Sequence, residues 1–210
     1  MAEKTNTIIT IGREFGSGGI YVAKEISKIL NIPLYDKEML EEAAKESGIA
    51  QNLFENNDEK PTSSFLYSLV MDTYSFGFSS GGLSDMPLNH KIFLAQFEAI
   101  KKIAAKGPCV LVGRCADYAL ADNKNMISVF IHADLDFKVN QIVKREKVTA
   151  SKAKELILKT DKQRASYYNY YTNKKWGDSD SYDLCINSSK FGIEKTVDLI
   201  LKAVEIKDNL

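Results

Sequence analysis

The residues best suited to chemistry in this sequence form a glycine-rich stretch near its start. Four glycines fall within eight residues, namely Gly12, Gly16, Gly18 and Gly19. They lie between a β-branched apolar run and a segment of helical periodicity, which predicts a strand-to-helix turn. Backbone N–H groups at a helix N-terminus, together with the helix dipole, bind phosphate, and glycines let phosphate oxygens approach the backbone. The pattern predicts a phosphate cradle in which Arg13 and Ser17 also take part.

This turn differs from the Walker A pattern G-x-x-x-x-G-K-[ST]. When Gly18 is aligned with the last motif glycine, Arg13 stands in place of the first. Gly19 then replaces the lysine that binds phosphate, and Ile20 replaces the hydroxyl residue that binds Mg²⁺. Arg13 and Ser17 are the candidates to substitute for the lysine in part. The motif therefore predicts phosphate binding and leaves catalytic competence open.

Two other interpretations of the turn remain. A tight strand-to-helix turn can need glycines for packing alone. A dinucleotide-binding turn has the pattern G-x-G-x-x-G and an acidic ribose ligand after the second strand. The sequence does not match that pattern, and Asp36 is the only candidate for the acidic ligand. Four glycines exceed what one packing turn requires, so phosphate binding is favoured.

The rest of the chain alternates short apolar runs with segments of helical periodicity. The apolar runs predict strands at residues 7–11, 33–36, 109–112, 126–131 and 182–186. The periodic segments predict helices at residues 17–30, 37–47, 90–106, 135–147, 150–171 and 193–204. This alternation predicts a three-layer α/β/α fold, in which helices cover both faces of a five-stranded parallel sheet. Such sheets bind ligands at the carboxyl ends of their strands, where Asp36 and Arg114 fall.

Residues 49–89 are the least regular part of the chain. They combine Pro61, Pro87 and a Ser-Ser-Gly-Gly run with several aromatic residues. Because disordered segments are poor in aromatic residues, we expect a helical insertion here, with a mobile loop near residues 78–83. The length of 210 residues suits one sizeable core, so we expect a single domain over residues 1–210.

Composition limits the partners and the location of the protein. Lys and Arg together number 28, as do Asp and Glu, and this balance gives no support to a nucleic-acid or membrane-surface partner. No apolar run approaches the roughly 20 residues that span a bilayer, and the first residues lack a secretory pattern. The separated residues Cys109, Cys115, Cys185, His90 and His132 form no metal site or disulfide framework. We expect a cytoplasmic protein without a protein-bound metal cluster.

Five stretches give the sequence a resemblance to the cytidylate-kinase-like proteins, relatives of bacterial cytidylate kinase. They are ITIGREFGSGG at residues 9–19, LYDKE at 34–38, VLVGRCAD at 110–117, DKQRASYY at 161–168 and YDLCIN at 182–187. Residues 49–89 have no close counterpart. The resemblance implies a P-loop kinase fold with a substrate-side insertion and a lid at residues 145–180. It also implies ATP and Mg²⁺ as cofactors, and a small nucleotide or other phosphorylated molecule as substrate.

The resemblance places the acceptor side at the ends of the second and third strands. In cytidylate kinase an aspartate and an arginine there face the nucleoside monophosphate, and the matching positions are Asp36 and Arg114. The planar guanidinium of Arg114 can hold a phosphate with two charge-assisted hydrogen bonds. Asp36 can equally be a helix N-cap. Asp117 is a further acceptor candidate that either binds a hydroxyl group or caps the segment after Arg114.

Residues 144–164 resemble the arginine-bearing lid that closes over the donor nucleotide in these kinases. Arg145, Lys162 and Arg164, together with Arg13, are the candidates to neutralise charge on the transferring phosphoryl group. Closure would also exclude water that could hydrolyse the donor. A solvated helix face is the alternative for Arg145 and Lys162, whereas Arg164 lies in the family-like pattern Asp161-x-x-Arg164.

The densest aromatic cluster follows this pattern and consists of Tyr167, Tyr168, Tyr170, Tyr171 and Trp176. Such rings can stack on a nucleobase. More often they pack a helix against the body of a domain or form a dimer contact. We therefore expect a packing role, and a homodimer is one form that such packing can take.

Two functions are consistent with these residues. The first is ATP-dependent transfer of the γ-phosphoryl group to a small acceptor such as cytidylate, with Mg²⁺ on the donor phosphates. The second is a regulatory module that binds a nucleotide or phosphate and has lost catalysis. The absence of a lysine at Gly19 and of a hydroxyl at Ile20 motivates the second.

Overall fold

The computed structural model of the protein describes residues 5–36 and 88–209. Its strands are β1 (Ile8–Arg13), β2 (Leu34–Tyr35), β3 (Val110–Val112), β4 (Met126–His132) and β5 (Leu184–Asn187). Its described helices are α1 (Gly19–Leu30), α2 (Leu88–Ala105), α3 (Ala116–Ala119), α4 (Leu135–Glu146), α5 (Ala150–Thr172) and α6 (Ser188–Asp208), with a 3₁₀ helix (Ser179–Ser181) before β5. The predicted helix at 37–47 and loop at 78–83 lie outside the described residues. So does the predicted insertion at 49–89, apart from the first residues of α2.

The described strands form one parallel sheet in the order β2-β3-β1-β4-β5. The central strand β1 pairs with β3, where Ile9 is opposite Val110, and with β4, where Ile9 is opposite Ile127. The outer strands β2 and β5 pair with β3 and β4. The predicted α/β fold with a five-stranded parallel sheet is confirmed. Because all the strands are parallel, their carboxyl ends lie along one edge of the sheet.

Alternate residues of the strands build hydrophobic cores on opposite faces of the sheet. One core includes Ile9 and Ile11 of β1 and is covered by α1 and α6. The other includes Ile8 of β1 and is covered by α2 and α3. Successive side chains of a strand point to opposite faces, so β1 contributes to both cores. A smaller cluster with Ile142 and Ile157 joins α4 to α5 beside the glycine-rich turn.

Several element boundaries differ from the predicted ones. Helix α1 begins at Gly19 rather than at residue 17, because its N-cap Gly18 has a left-handed backbone with φ 82°. Strand β5 begins at Leu184 rather than at residue 182. The residue before it, Asp183, accepts a hydrogen bond on its carboxylate from the Ser128 hydroxyl (2.8 Å). Helix α3 was not predicted. Helix α6 begins earlier than predicted and is interrupted at Gly192, where φ is 75° and ψ 167°.

None of the described helices is both long enough and apolar enough to cross a membrane. Among the same residues, no group of three or more His, Cys, Asp or Glu side chains is arranged to hold a metal ion. The thiols of Cys109 and Cys115 are buried, that of Cys185 is exposed, and none of these three described residues forms a disulfide.

Candidate functional site

Two adjacent cavities lie along the carboxyl edge of the sheet. The outer cavity has a volume of about 400 Å³ and is lined by the glycine-rich turn, by residues of α4 and by Asp36. The inner cavity has a volume of about 30 Å³ and lies between the ends of β1 and β3 and helix α5. Arg13 and Arg164 line both cavities. Two cations therefore form the boundary between the two compartments of the cleft.

The glycine-rich turn leads from β1 into α1 through two left-handed residues. Gly16 has φ 88° and Gly18 has φ 82°, values that residues with a Cβ rarely adopt. A Cβ on Gly18 would also overlap Cδ1 of Ile193. No side chain caps α1, and its first residues, Gly19 and Ile20, line the outer cavity. An uncapped helix N-terminus thus faces the cavity, as phosphate binding requires.

Of the predicted phosphate ligands, Gly12 lines only the inner cavity and Ser17 lines neither cavity. A Cβ on Gly12 would lie 2.8 Å from Cδ2 of Phe130, so glycine makes room for that ring. The buried hydroxyl of Ser17 donates to the carbonyl of Glu14 (2.9 Å), and the carbonyl of Ser17 accepts from Ser188 Oγ (2.6 Å). The contacts of Ser17 hold the turn from behind, and Gly16, Gly18 and Gly19 line the outer cavity.

The side chain of Arg13 crosses two glycines on its way from β1 towards β3. Its Cβ lies 2.6 Å from the place that a Cβ on Gly19 would take, and its Nη1 overlaps the place of a Cβ on Gly113. Glycine at both positions therefore makes room for the arginine. The guanidinium reaches from the glycine-rich turn to the end of β3.

The turn after β3 presents Arg114 through three consecutive left-handed residues. Gly113 has φ 79°, Arg114 56° and Cys115 54°; for the two non-glycine residues this conformation costs about 1–2 kcal/mol each. Strained backbone of this kind is concentrated at functional sites. Burial lowers the pKa of Arg114 to about 10, the charge of Arg13 adds to this lowering, and Asp36 opposes it. Arg114 therefore stays cationic at neutral pH beside a second guanidinium and a carboxylate.

Asp117 lies in the first turn of α3 and lines the inner cavity. Its carboxylate accepts a hydrogen bond of 2.6 Å from the Tyr168 hydroxyl. Burial raises the pKa of Asp117, while hydrogen bonds from Tyr168 and from the backbone of Asp117 and Tyr118 oppose the rise. Burial also raises the pKa of Tyr168, so its phenol remains a donor. The N-cap of α3 is Cys115 rather than Asp117, and its side chain makes no capping hydrogen bond. Asp117 lines the inner cavity, and its role as an acceptor ligand stays a prediction.

A buried ionic network joins helix α5 to the glycine-rich turn. Lys138 Nζ of α4 donates to Glu14 Oε2 (2.9 Å) and to Asp161 Oδ2 (3.1 Å). Asp161 Oδ1 also accepts from the backbone N–H of Phe15 (2.6 Å). Burial raises the pKa of Asp161, and the Phe15 N–H and Lys138 oppose the rise. The network holds the middle of α5 against the turn.

Phe15 lies between the cations of α4 and α5. The guanidinium carbons of Arg145 and Arg164 lie 4.9 and 5.8 Å from its ring centroid, within the range of cation–π attraction. Arg164 also donates to the carbonyl of Arg13 (3.2 Å). Lys162 is exposed and lines neither cavity. The structure brings Arg145 and Arg164 to the cleft but leaves Lys162 outside, because a two-residue step along a helix turns the side chain by about 200°.

The aromatic cluster packs α5 against α2. Tyr167, Tyr168 and Tyr171 are buried together with Phe93 of α2, and Tyr170 is partly buried beside them. The rings of Phe93 and Tyr171 stack with centroids 4.0 Å apart. Trp176 packs edge-on against Phe130 of β4 with centroids 5.0 Å apart. These contacts agree with the predicted packing role.

Glu14, Phe15 and Lys138 lie at the site but were not predicted from the sequence. For Lys138 a signal exists, since it precedes the buried Ile142 by four positions and so shares the apolar face of α4, where a charge must be paired. Glu14 and Phe15 fall at unspecified positions of the G-x-x-x-x-G pattern, so no motif marks them.

The parallel sheet and the glycine-rich turn after its central strand define a P-loop kinase fold. The same fold occurs in a gluconokinase from Sinorhizobium meliloti, with a TM-score of 0.54 at 12% identity over 99% of this chain and 96% of that one. A shikimate kinase from Bacteroides thetaiotaomicron has a TM-score of 0.53 at 14% identity over 95% and 98%. An uncharacterized protein from Eubacterium ventriosum is more similar, with a TM-score of 0.72 at 37% identity over 95% and 98%.

A sequence model of the cytidylate kinase-like family matches residues 8–190, and the chain belongs to that family. It is 26% identical over 201 residues to a cytidylate kinase from Methanocaldococcus jannaschii, a match that covers 94% of this chain and 97% of that protein. It is 34% identical over 112 residues to a cytidylate kinase from Archaeoglobus fulgidus, which covers 51% and 59%. The predicted family is confirmed.

Proposed function

We propose that this protein is an ATP-dependent phosphotransferase of the nucleoside monophosphate kinase type, with cytidylate as the first acceptor to test. One observation carries the proposal, namely that Arg13 and Arg164 form the boundary between the two cavities. A phosphoryl group that moves from a donor in the outer cavity to an acceptor in the inner cavity crosses this boundary. Its transition state carries negative charge, and cations already in place stabilise that charge as it develops.

The two cavities suit different parts of the substrates. The outer cavity holds the uncapped N-terminus of α1 and the side chains of Lys144 and Arg145, which suits a triphosphate. The inner cavity has room for roughly two water molecules, which suits a single phosphate group of the acceptor. Arg114 lines the inner cavity, and Asp36 opposes the lowering of its pKa. In the proposed complex Arg114 holds the acceptor phosphate, and the nucleoside lies outside the inner cavity.

The reaction breaks the bond between the γ-phosphorus and its bridging oxygen to the β-phosphate. A new bond forms between the γ-phosphorus and an oxygen of the acceptor phosphate, which leaves ADP and a nucleoside diphosphate. The acceptor phosphate is largely a dianion at neutral pH, so the attacking oxygen needs no general base. The residues of this chain bind, orient and neutralise the phosphates. Residues 145–180 act as the lid, and Asp161 anchors them to the glycine-rich turn.

The carboxylates of the outer cavity fit a Mg²⁺ ion that arrives with ATP. Mg²⁺ is usually held by one or two carboxylates and by substrate phosphates. Glu14 and Asp36 line the outer cavity, and Glu14 is bonded to Lys138. Asp36 is therefore the residue that would hold the ion, because position Ile20 offers no side-chain oxygen. When bound, Mg²⁺ neutralises charge on the donor phosphates.

The proposal is tested by incubating the purified protein with ATP, Mg²⁺ and each nucleoside monophosphate, and by separating the nucleotides formed. We expect ADP and a nucleoside diphosphate in equal amounts, with cytidylate among the accepted substrates. Arg164→Ala should reduce kcat by about 100-fold, since it removes a cation placed at the transferring group. Lys159→Ala changes an exposed cation of the same helix and should leave kcat unchanged.

Other outcomes would change the assignment. ATP binding without transfer to any of these acceptors would favour the regulatory module over the kinase. Failure both to bind ATP and to form product would overturn the proposal. A loss of turnover in Lys159→Ala equal to that in Arg164→Ala would show that the boundary between the cavities has no special role.

A further inference from the structure

We infer that Arg13 supplies the phosphate-binding cation that a lysine supplies in the Walker A pattern, and that cation and glycine have exchanged places within this turn. In the pattern a glycine stands at the first position and a lysine at the seventh. Here an arginine stands at the first position and Gly19 at the seventh. That the ligand is ATP rests on the proposed function. The steric relation between positions 13 and 19 holds without it.

The two departures from the pattern are coupled by a steric conflict. A Cβ on Gly19 would lie 2.6 Å from Cβ and 3.1 Å from Cγ of Arg13. These atoms lie next to the backbone of Arg13, at the end of β1, and cannot swing aside as the tip of a long side chain can. A side chain at position 19, lysine included, is therefore incompatible with the observed Arg13. The arginine at position 13 requires the glycine at position 19.

The stem of Arg13 occupies the volume in which a lysine side chain at position 19 would begin. From there the guanidinium continues to Gly113, where its Nη1 takes the place of a Cβ. The backbone at the base of this side chain is held by the hydrogen bond from Arg164 to the Arg13 carbonyl (3.2 Å). The cation is thus carried along one path past two glycines, and both glycines are needed to leave the path open.

This route gives the cation a position between donor and acceptor. Arg13 lines both cavities, and its charge contributes to lowering the pKa of Arg114. A lysine ammonium is a compact point charge, whereas a guanidinium presents five N–H donors in a planar fork. Arg13 can therefore contact a donor phosphate and the transferring phosphoryl group together. The exchange places the cation of the turn at the boundary where the group is transferred.

The inference is tested by binding of ATP and of inorganic tripolyphosphate, measured by calorimetry on the full chain. Arg13→Gln keeps the stem that packs on Gly19 and removes the charge. It should raise the Kd of both ligands by on the order of 10- to 100-fold, as expected for lost charge-assisted hydrogen bonds. Lys24→Gln neutralises an exposed cation on α1 and should change neither Kd.

A reciprocal exchange tests the steric coupling. Arg13→Gly alone should bind ATP weakly, and Gly19→Lys alone should bind weakly because its new Cβ meets Arg13. The double variant Arg13→Gly/Gly19→Lys restores the Walker A order and should bind at least about tenfold more tightly than either single variant, because residues in contact do not behave additively. Thermal unfolding of each variant shows whether it is folded. If the double variant does not fold, the inference is tested by the binding measurements on Arg13→Gln.

Unchanged binding by Arg13→Gln would overturn the inference, and so would a folded double variant that binds no better than Arg13→Gly. Phosphoryl transfer combined with unchanged ATP affinity in Arg13→Gln leaves the proposed function standing without this inference. ATP binding that depends on Arg13, in a protein that transfers no phosphoryl group, leaves the inference standing without the proposed function. If the unsubstituted protein binds neither ATP nor tripolyphosphate, both fail.

Discussion

The carboxyl ends of β1 and β3 both bring an arginine to the cleft, but the turns that follow the two strands use different backbone conformations. The turn after β1 has its left-handed conformations on Gly16 and Gly18, where they cost little. The turn after β3 has them on Arg114 and Cys115 as well as on Gly113. The first turn has to expose backbone N–H groups, and glycine does this without strain. The second has to present a side chain from a left-handed residue, so its strain cannot be removed by glycine without losing the side chain.

Helix α5 makes one hydrogen bond beside each of the two turns, and a carboxylate is the acceptor in both. Asp161 of α5 accepts from the Phe15 N–H in the turn after β1 (2.6 Å). Tyr168 of α5 donates to Asp117 just after the other turn (2.6 Å). The two contacts lie about two helical turns apart, on the same side of α5. If α5 moves as a lid, both hydrogen bonds break together. Movement of the lid would then be coupled to how rigidly the proposed donor and acceptor sites are held.

The largest effect is expected at Arg114, where two variants should lose the same activity but differ in stability. Arg114→Gly and Arg114→Ala should each reduce kcat/KM by about 100-fold or more, because both remove a positioned guanidinium. Arg114→Gly should nevertheless have a free energy of unfolding about 1 kcal/mol above that of Arg114→Ala, because only glycine relieves the left-handed strain. Steady-state kinetics and urea unfolding measure the two effects. Equal stability of the two variants would show that φ 56° at this residue stores no strain.

At the glycine-rich turn the natural residue is already glycine, so a substitution there should lower the free energy of unfolding. Gly16→Ala introduces a Cβ at φ 88°, 3.0 Å from the carbonyl oxygen of Lys138, and should reduce the free energy of unfolding by about 1–3 kcal/mol. Urea unfolding measures this loss, and ATP affinity measured on the folded fraction should fall with it. A stability equal to that of the unsubstituted protein would contradict the difference between the two turns.

A pH-dependent effect is expected at Asp117. Burial raises the pKa of Asp117 above its ordinary 3.8, so the folded protein binds a proton there more tightly than the unfolded chain does. The ionised carboxylate therefore disfavours folding near neutral pH. Asp117→Asn, which can still accept from Tyr168, should have a higher Tm than the unsubstituted protein at neutral pH. This advantage should shrink as the pH falls towards about 4.

Thermal unfolding of both proteins over this pH range measures the effect, and a constant difference in Tm would contradict the assigned cause. The same variant separates the two roles of Asp117. A kcat/KM within about fivefold of the unsubstituted value fits a structural role, since a hydrogen bond between neutral groups contributes about 1 kcal/mol. A KM for the acceptor raised well beyond that range would assign Asp117 to acceptor binding.

The smallest effect is expected at Phe15, whose ring lies between Arg145 and Arg164. Phe15→Leu keeps an apolar side chain but removes the cation–π contacts, each worth about 0.5–1 kcal/mol at an exposed site. The KM for ATP should rise by about two- to fivefold, since the lid cations are held less firmly. Phe15→Tyr keeps a ring and should retain the original KM. An equal rise in both variants would point to the size of the side chain instead.

The strands and helices, and the position of Arg114 at the end of β3, could be predicted because the sequence signals for them are local. Hydrophobic periodicity within each segment predicts its type, and alternating strands and helices predict a parallel sheet. That sheet brings Asp36 and Arg114, which are distant in sequence, to one edge. The orientation of single side chains was not predictable in the same way. Ser17 turns its hydroxyl into the protein towards the Glu14 carbonyl (2.9 Å), and Lys162 points out of the cleft, although both are polar residues in matching motifs.

Two features follow from the local sequence, since periodicity and the freedom of glycine are properties of adjacent residues. A glycine-rich turn joins a buried strand to a helix, and this turn lacks the Walker A lysine. The meaning of the missing lysine depends on contacts between separate segments, so it becomes visible in the folded protein alone. Arg13 passes the start of α1 and ends over Gly113 at the end of β3, and a steric conflict of that kind exists only once the strands and helices are packed.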